Sequence, residues 1–364
     1  MKFEKHHLIV KTRTILYIGT ILFGLSLSLA VKASNAVKDQ ISKPNIIFIF
    51  ADDMGYGDVS ALNPFARTQT PNLDKLIQNG ITFTEAHASA SVCTPSRYGL
   101  LTGRYAFRSE KAARGIGGFN GPVIEEGRKT LATLLKKEGY TTACIGKWHL
   151  GVGWQTKDEK KPQFNAKTGH SNVDFSKKVK GGPNDYGFDY SFIHPASLDI
   201  PPYLFLRNHK AVDPDMILTT DHYPTRKEYT EFSWDKKHSN DQAVYWEKGV
   251  WWRQGEMSRS FRVEDCHSEI INEGVAYVEK QASENPGNPF FLYLPLTGPH
   301  TPWMPTEQFK GKSAVGLYGD FIFNIDDAVK QIKQALIRNG IDENTMLVFS
   351  SDNGAYWPQE EIER

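Results

Sequence analysis

Apolar positions along this chain alternate between two rhythms. Asn45-Ile-Ile-Phe-Ile-Phe-Ala51 is an unbroken apolar run of strand length, the pattern of a central strand buried on both faces. Behind Thr70 and Pro71, residues Leu73, Leu76 and Ile77 share one helical face, and Gly80 stops the helix. Ile81-Thr-Phe-Thr84 reads as a short strand. A short helix is expected to begin near Cys93, with Leu100 and Leu101 in its apolar run and Gly103 as its cap. Thr130 to Glu138 is the next helix, and Tyr140 to Ile145 the next strand. Late in the chain, Ser268 to Gln281 carries Ile270, Ile271, Val275 and Val278 at helical spacing. Pro289 to Leu294 is a buried strand. Asp320 to Asn339 is a long amphipathic helix striped by Phe321, Ile325, Val329, Ile332 and Leu336, and Thr345 to Ser351 closes the series as a strand. Strand and helix alternate, so the fold class is α/β: a largely parallel central sheet, right-handed crossovers and helices on both faces.

Between Gly153 and about Ser260 the periodicity fades. Charged and aromatic residues alternate without regular spacing, and Pro183, Pro195, Pro201 and Pro202 interrupt any element. So long a stretch is too much for an idle loop, and residues 153–260 read as an insertion shaping a substrate pocket. Tyr186 to Tyr190 and Ser197 to Tyr203 are expected on its inner wall. Trp246, Trp251 and Trp252 suit either a sugar-stacking platform or the core, and the area a Trp buries favours the core.

The first 33 residues stand apart. Lys2, Lys5, Lys11 and Arg13 precede the apolar run Ile15 to Val31, and Val31-Lys32-Ala33 is a small-residue cleavage site. That is the layout of a secretory signal peptide cut after Ala33, and the run is short for a spanning helix. Residues 34–364 would then work outside the cytoplasm, periplasmic or extracellular, with no stable membrane anchor. A formal charge of +1 over 364 residues gives no reason to expect nucleic acid as a partner. Three cysteines, Cys93, Cys144 and Cys266, are too few for a disulfide framework. Cys144 and Cys266 are left either to pair or to stay buried.

Polar residues collect where the strands end. Asp52-Asp53 follows the first strand, Lys147 and His149 the second, His300 a later one and Asp352-Asn353 the last. In an open parallel sheet such ends share one edge, where ligands bind, so the four clusters are expected to converge. Adjacent carboxylates are costly unless a cation or proton joins them. Asp52, Asp53, Asp352 and the amide of Asn353 are hard oxygen donors that suit Ca²⁺ or Mg²⁺ better than zinc. Cys93, in the turn entering its helix, lies where free backbone N–H groups and the helix dipole favour an anion. Arg97, a turn on, adds a planar fork of donors. Taken alone, a free cysteine is more often a small buried hydrophobe.

Cys93-Thr94-Pro95-Ser96-Arg97 followed by Leu101-Thr102-Gly103-Arg104 resembles the signature of the type I sulfatases, in the alkaline phosphatase superfamily. The resemblance runs from about Lys43 to the end and is least diagnostic over the insertion. It implies an alkaline phosphatase-like sulfatase N-terminal domain. Cys93 would be converted to formylglycine (3-oxoalanine) by a formylglycine-generating or anaerobic sulfatase-maturing enzyme. The hydrated aldehyde would attack sulfur beside one Ca²⁺ held by Asp52, Asp53, Asp352, Asn353 and position 93 itself. By the same resemblance Arg97 steadies the hydrate, and Lys147 and His300 bind sulfate and the leaving oxygen. His300 protonates the leaving alcohol, and His149 takes the proton whose loss expels sulfate. The implied substrate is an aryl sulfate or a sulfated glycan such as N-acetylgalactosamine 6-sulfate, since Ser197 to Tyr203 is similar to sequences of arylsulfatase A-like and N-acetylgalactosamine-6-sulfatase-like enzymes.

Family members also carry a second lysine beyond Asp-Asn-Gly and a smaller C-terminal domain. The chain ends at Arg364, shortly after Gly354, with no counterpart of either, so as written it is expected to be poorly active or unstable. Two alternatives stand beside the sulfatase reading. One is a phosphonate monoester or phosphodiester hydrolase of the same superfamily; the other is a sulfate-binding relic without catalysis.

Overall fold

A computed structural model describes residues 43–223 and 252–356. The chain divides into residues 1–43 and 44–364, and the second unit is described here. The signal-peptide reading, Trp246 and Trp251 lie outside the described residues.

Seven strands form one sheet in the order β5-β4-β3-β2-β8-β1-β9. They are β1 (Asn45–Asp52), β2 (Thr141–Lys147), β3 (Tyr190–His194), β4 (Leu206–Arg207), β5 (Lys210–Ala211), β8 (Phe290–Pro299) and β9 (Thr345–Ser351). β3, β2, β8, β1 and β9 run parallel, and only the short edge strands β4 and β5 are antiparallel. A separate two-stranded ribbon pairs β6 (Met216–Leu218) with β7 (Glu256–Ser258). The helices are α1 (Pro71–Asn79), α2 (Cys93–Thr102), α3 (Leu131–Lys137), the one-turn α4 (Thr219–His222), α5 (Cys266–Glu284) and α6 (Gly316–Arg338).

Side-chain alternation sends successive strand residues into two cores. Ile47, Ile49, Leu292 and Leu294 pack with α1, α5 and α6 on one face. Phe50, Phe291 and Tyr293 pack with Tyr98 and Leu101 of α2 and Ala132 of α3 on the other. The expected α/β class, parallel sheet and two-sided helix cover are therefore all present. α2 ends as its sequence foretold, with Gly103 left-handed at φ 64° and its N–H donating to Gly99 O.

Two local expectations fail. Ile81 to Thr84 is not a strand, and Ile81 and Phe83 stand exposed. Alternation supplies only propensity there, since no sheet edge runs alongside to complete the ladder. Conversely, Tyr190 to His194 is a core strand inside the aperiodic stretch, paired with β2 from Ala143↔Tyr190 to Lys147↔His194. Five residues with polar Ser191 and His194 carry no clear rhythm, yet the free side of β2 recruits them. Cys144 and Cys266 are free and buried, one in each core, so the sheet separates them. Trp252 is packed in the core against Tyr223.

Candidate active site

The strand ends meet as topology requires. β1 delivers Asp52 and then turns at Asp53, whose backbone is left-handed at φ 60°, a conformation Asp tolerates better than most residues. The turn is fastened to the end of β9: Asp53 N donates to Asp352 Oδ1 at 3.0 Å, and Met54 N to Ser351 Oγ at 3.0 Å. β2 delivers Lys147, and two residues later His149 is also left-handed, at φ 51°. His300 directly follows β8.

Arg97 ties these ends together from the first turns of α2. Its Nη2 donates to Asp52 Oδ1 at 3.0 Å and to Asp352 Oδ2 at 2.7 Å, its Nε to Asp352 Oδ2 at 3.1 Å, and its Nη1 to Lys147 O at 3.0 Å. The guanidinium also lies 5.5 Å from the Phe50 ring centroid. Lys147 Nζ bonds Asp52 Oδ2 at 2.5 Å and Ser197 Oγ at 3.0 Å. Arg97, Lys147, Asp52 and Asp352 are all 0% exposed, so this is a desolvated ion network.

The charges govern one another. Burial works against the charge on Arg97, but Asp352 and Asp52 outweigh it and hold the guanidinium protonated. Burial likewise opposes the charge on Lys147, and Asp52 more than restores it. Burial, then the nearby Asp52, pushes the Asp352 carboxyl up to about 6 despite Arg97 and Lys147. Asp52, Asp53 and Asp352 crowd three carboxyl groups into one place, the kind of site a further cation relieves. The sulfur of Cys93 and carboxylate oxygens of Asp52 and Asp352 lie within 4.8 Å of one another, a group able to hold a metal. Asn353 adds a second mark. Its Nδ2 is spent on Asp53 Oδ1 at 2.6 Å and Gly354 O at 2.9 Å, while its Oδ1 is buried with no partner. An orphaned amide oxygen beside surplus carboxylates fits an oxygen-seeking cation.

Cys93 is the first residue of α2, after extended Val92, and is partly exposed. Burial of its sulfur and the carboxylates raise the thiol to about 12, with Lys147 pulling the other way. His149 Nε2 lies 2.9 Å from Ile116 O, an acceptor, so Nε2 carries the proton. Its Nδ1 is then a bare lone pair, buried and unpartnered. Burial, followed by Lys147, holds this imidazole well below its ordinary pKa and therefore neutral. His300 is the reverse. Burial opposes its charge, but Asp53, whose Oδ2 is 3.7 Å from Nε2, raises its pKa, and Nδ1 donates to Thr301 O at 2.5 Å.

Every residue singled out at a strand end is thus in one cluster, together with Cys93 and Arg97. Sequence reasoning missed Ser197 as a partner of Lys147 and Ile116 as the carbonyl that sets the tautomer of His149. Ser197 was placed only on a pocket wall, and a backbone carbonyl leaves no residue-type signal to find.

Residues 44–360 match the family model described as Sulfatase. This chain belongs to the sulfatase family. It is 35% identical over 323 residues to an N-acetylgalactosamine-6-O-sulfatase of Bacteroides thetaiotaomicron, covering 86% of this chain and 59% of that one. It is 30% identical over 321 residues to the N-acetylgalactosamine-6-sulfatase of Rattus norvegicus, covering 86% and 50%. A solved 6S-sulf protein from work on the metabolism of multiple glycosaminoglycans by Bacteroides thetaiotaomicron superposes with a TM-score of 0.69 at 32% identity, over 86% of this chain and 63% of that one. The chain therefore spans about half to six-tenths of these curated relatives.

Proposed function

We propose that this sulfatase hydrolyses sulfate esters of glycans, with N-acetylgalactosamine 6-sulfate as the first candidate and aryl sulfates as a second class. The observation that carries the reading is the placement of Cys93 at the head of α2, its sulfur within 4.8 Å of carboxylate oxygens of Asp52 and Asp352, with Arg97 bridging those two carboxylates. Burial pushes this thiol up to about 12, which makes the unmodified cysteine a poor nucleophile at neutral pH; the reading therefore takes the reactive group to be formylglycine made from Cys93 by a maturing enzyme. One Ca²⁺ would be held by Asp52, Asp53, Asp352, Asn353 and the oxygen at position 93, a donor set made wholly of hard oxygens. Bound there, the ion and the hydrated aldehyde supply a metal-assisted oxygen nucleophile for sulfur.

The remaining steps belong to ordinary side chains. Arg97 holds Asp52 and Asp352 at fixed separation. Lys147, pinned between Asp52 and Ser197, presents a fixed positive charge to sulfate oxygens. His300, whose pKa Asp53 raises against the effect of burial, gives a proton from Nε2 to the departing alcohol oxygen. His149 is ready for the opposite task. Its Nε2–H is anchored on Ile116 O, so bare Nδ1 accepts the proton released when sulfate leaves.

The contact of Ser197 with Lys147 supports the reading that the described part of the stretch 153–260 around Ser197 lines the substrate pocket. The basic and then apolar N-terminal 33 residues favour export, and among the described residues no helix is long and apolar enough to cross a membrane. The family model and the sulfatase-named relatives favour sulfate esters over the phosphodiester and phosphonate alternative, and the group formed by Asp52, Cys93 and Asp352 contains no histidine of the kind that marks the two-zinc phosphatase branch.

The test is peptide mass across residues 91–97 after co-expression with a formylglycine-generating or anaerobic sulfatase-maturing enzyme. Conversion of Cys93 to the aldehyde, with sulfate-ester turnover that a chelator abolishes and Ca²⁺ restores, is expected. An unmodified thiol without turnover leaves the sulfate-binding relic as the better reading.

A further inference from the structure

Asp199 is used by none of the steps above, yet it is built into the same place. Its side chain is 5% exposed, and one oxygen, Oδ2, is paired with Arg253 Nη1. The other, Oδ1, is buried with no hydrogen-bond partner. Burial pushes this carboxyl up, but His300, Arg253, Lys147 and the Ser197 hydroxyl together hold it below the usual carboxylate range. Asp199 is therefore an ionised carboxylate beside the two groups assigned to sulfate and the leaving oxygen.

The frame around it is rigid without the side chain's help. Arg253 N donates to Asp199 O at 2.9 Å, and Ile200 N to Ser197 O at 2.8 Å. The strap that follows Arg253 is laced to the same loop, with Tyr203 N on Glu256 O at 2.9 Å and Ser258 N on Tyr203 O at 2.8 Å. A buried carboxylate oxygen that serves no structural bond is costly unless a ligand pairs it. Surrounding charge narrows what that ligand is. Arg253 and Lys147 repel a second cation, and the carboxylate repels a second sulfate or any other anion. A neutral donor remains.

We propose that Asp199 is a specificity-determining residue that accepts a hydrogen bond at Oδ1 from a hydroxyl of the sugar ring bearing the sulfate, with Arg253 orienting the carboxylate. This rests on the sulfatase reading above and adds recognition of a ring hydroxyl on the leaving sugar, a group that an aryl sulfate lacks. Two geometric facts support a ligand-facing rather than merely structural role: the main-chain bonds already close the loop, and Arg253, 40% exposed, links the buried carboxylate to the solvent side.

The experiment uses the matured full chain and compares kcat/KM for a sulfated methyl glycoside with that for 4-nitrophenyl sulfate. The ratio of the two is expected to fall roughly 10- to 100-fold in Asp199→Ala, the worth of one hydrogen bond to a charged group. Asp199→Asn, which keeps an acceptor oxygen, is expected to fall less, and it carries the test should the alanine variant not fold. A deoxy glycoside sulfate lacking the paired hydroxyl loses the same factor with the unsubstituted protein and nothing further in the variants. A ratio unchanged within about 2-fold in both variants overturns the proposal while leaving the sulfatase reading intact. Matured protein that turns over the aryl sulfate but no sugar sulfate overturns it too. If no sulfate ester is hydrolysed at all, the sulfatase reading fails and the proposal falls with it.

Discussion

The strand-end cluster and the loop from Pro195 to Tyr203 reach the same pocket by different means. Asp52, Lys147, His300 and Asp352 are carried by four parallel strands, and Arg97 locks two of them with bonds of 2.7–3.1 Å. The loop has no ladder. Its shape comes from single bonds to scattered partners: His194 Nε2 against Ser197 O at 3.1 Å, Arg253 N on Asp199 O, and Tyr203 N on Glu256 O. On the proposed reading the cluster would handle charge that is the same for every sulfate ester, so it can be built into the sheet. The loop would meet the part of the substrate that varies, and irregular backbone is free to vary with it.

If that contrast is right, breaking the cluster is a matter of folding as well as chemistry. Arg97→Gln leaves the fully buried Asp352 without its cation and Asp52 with Lys147 alone, and a loss of about 3–5 kcal/mol is expected in denaturant melts. Arg97→Lys is expected to recover little, because one ammonium cannot span both carboxylates as the planar fork does. Equal melting of the glutamine variant and the parent would mean that the network carries no stability.

His194 sits at the seam, ending β3 with Nδ1 3.2 Å from Leu204 O and Nε2 3.1 Å from Ser197 O. Burial outweighs those carbonyls and pushes it down to about 4. The unfolded chain, with an ordinary imidazole near 6.5, therefore takes up a proton first as pH falls. The contribution is whole above about pH 6.5 and is lost as pH drops toward 4, amounting to about 2 kcal/mol by pH 5. His194→Gln should flatten the fall in stability between pH 7.5 and 5 by that amount; parallel curves would assign the acid sensitivity to other groups.

Ser197→Ala is the smallest expected change. Lys147 keeps its bond to Asp52 and Asp199 keeps Arg253, so only a neutral hydroxyl is lost from each, and kcat/KM is expected to fall by about 5-fold with little change in melting. A loss beyond 100-fold would place Ser197 within the cluster rather than beside it.

Much of the sheet was legible because burial on both faces leaves a continuous apolar run, as in Ile46 to Phe50, and because Gly80 and Gly103 punctuate the helices. Tyr190 to His194 was not, since a strand recruited by its neighbour needs no rhythm of its own. Ile81 to Thr84 erred the other way, offering rhythm with no neighbour to pair. The charged site residues were legible by type and by their positions after strands. Their partners Ile116 and Ser197 were not, for a carbonyl and a common hydroxyl carry no distinguishing chemistry until something faces them.

By itself, the sequence determined most of the elements, their order, and the charged residues that strand ends present, because those follow from local periodicity and residue chemistry. Only the tertiary structure decided how they act. It aimed Arg97 at two carboxylates at once, and it left Nδ1 of His149, Oδ1 of Asn353 and Oδ1 of Asp199 bare. The physical reason is that protonation and pairing depend on what lies within a few ångströms, and residues far apart in the chain supply those neighbours only after the sheet has closed.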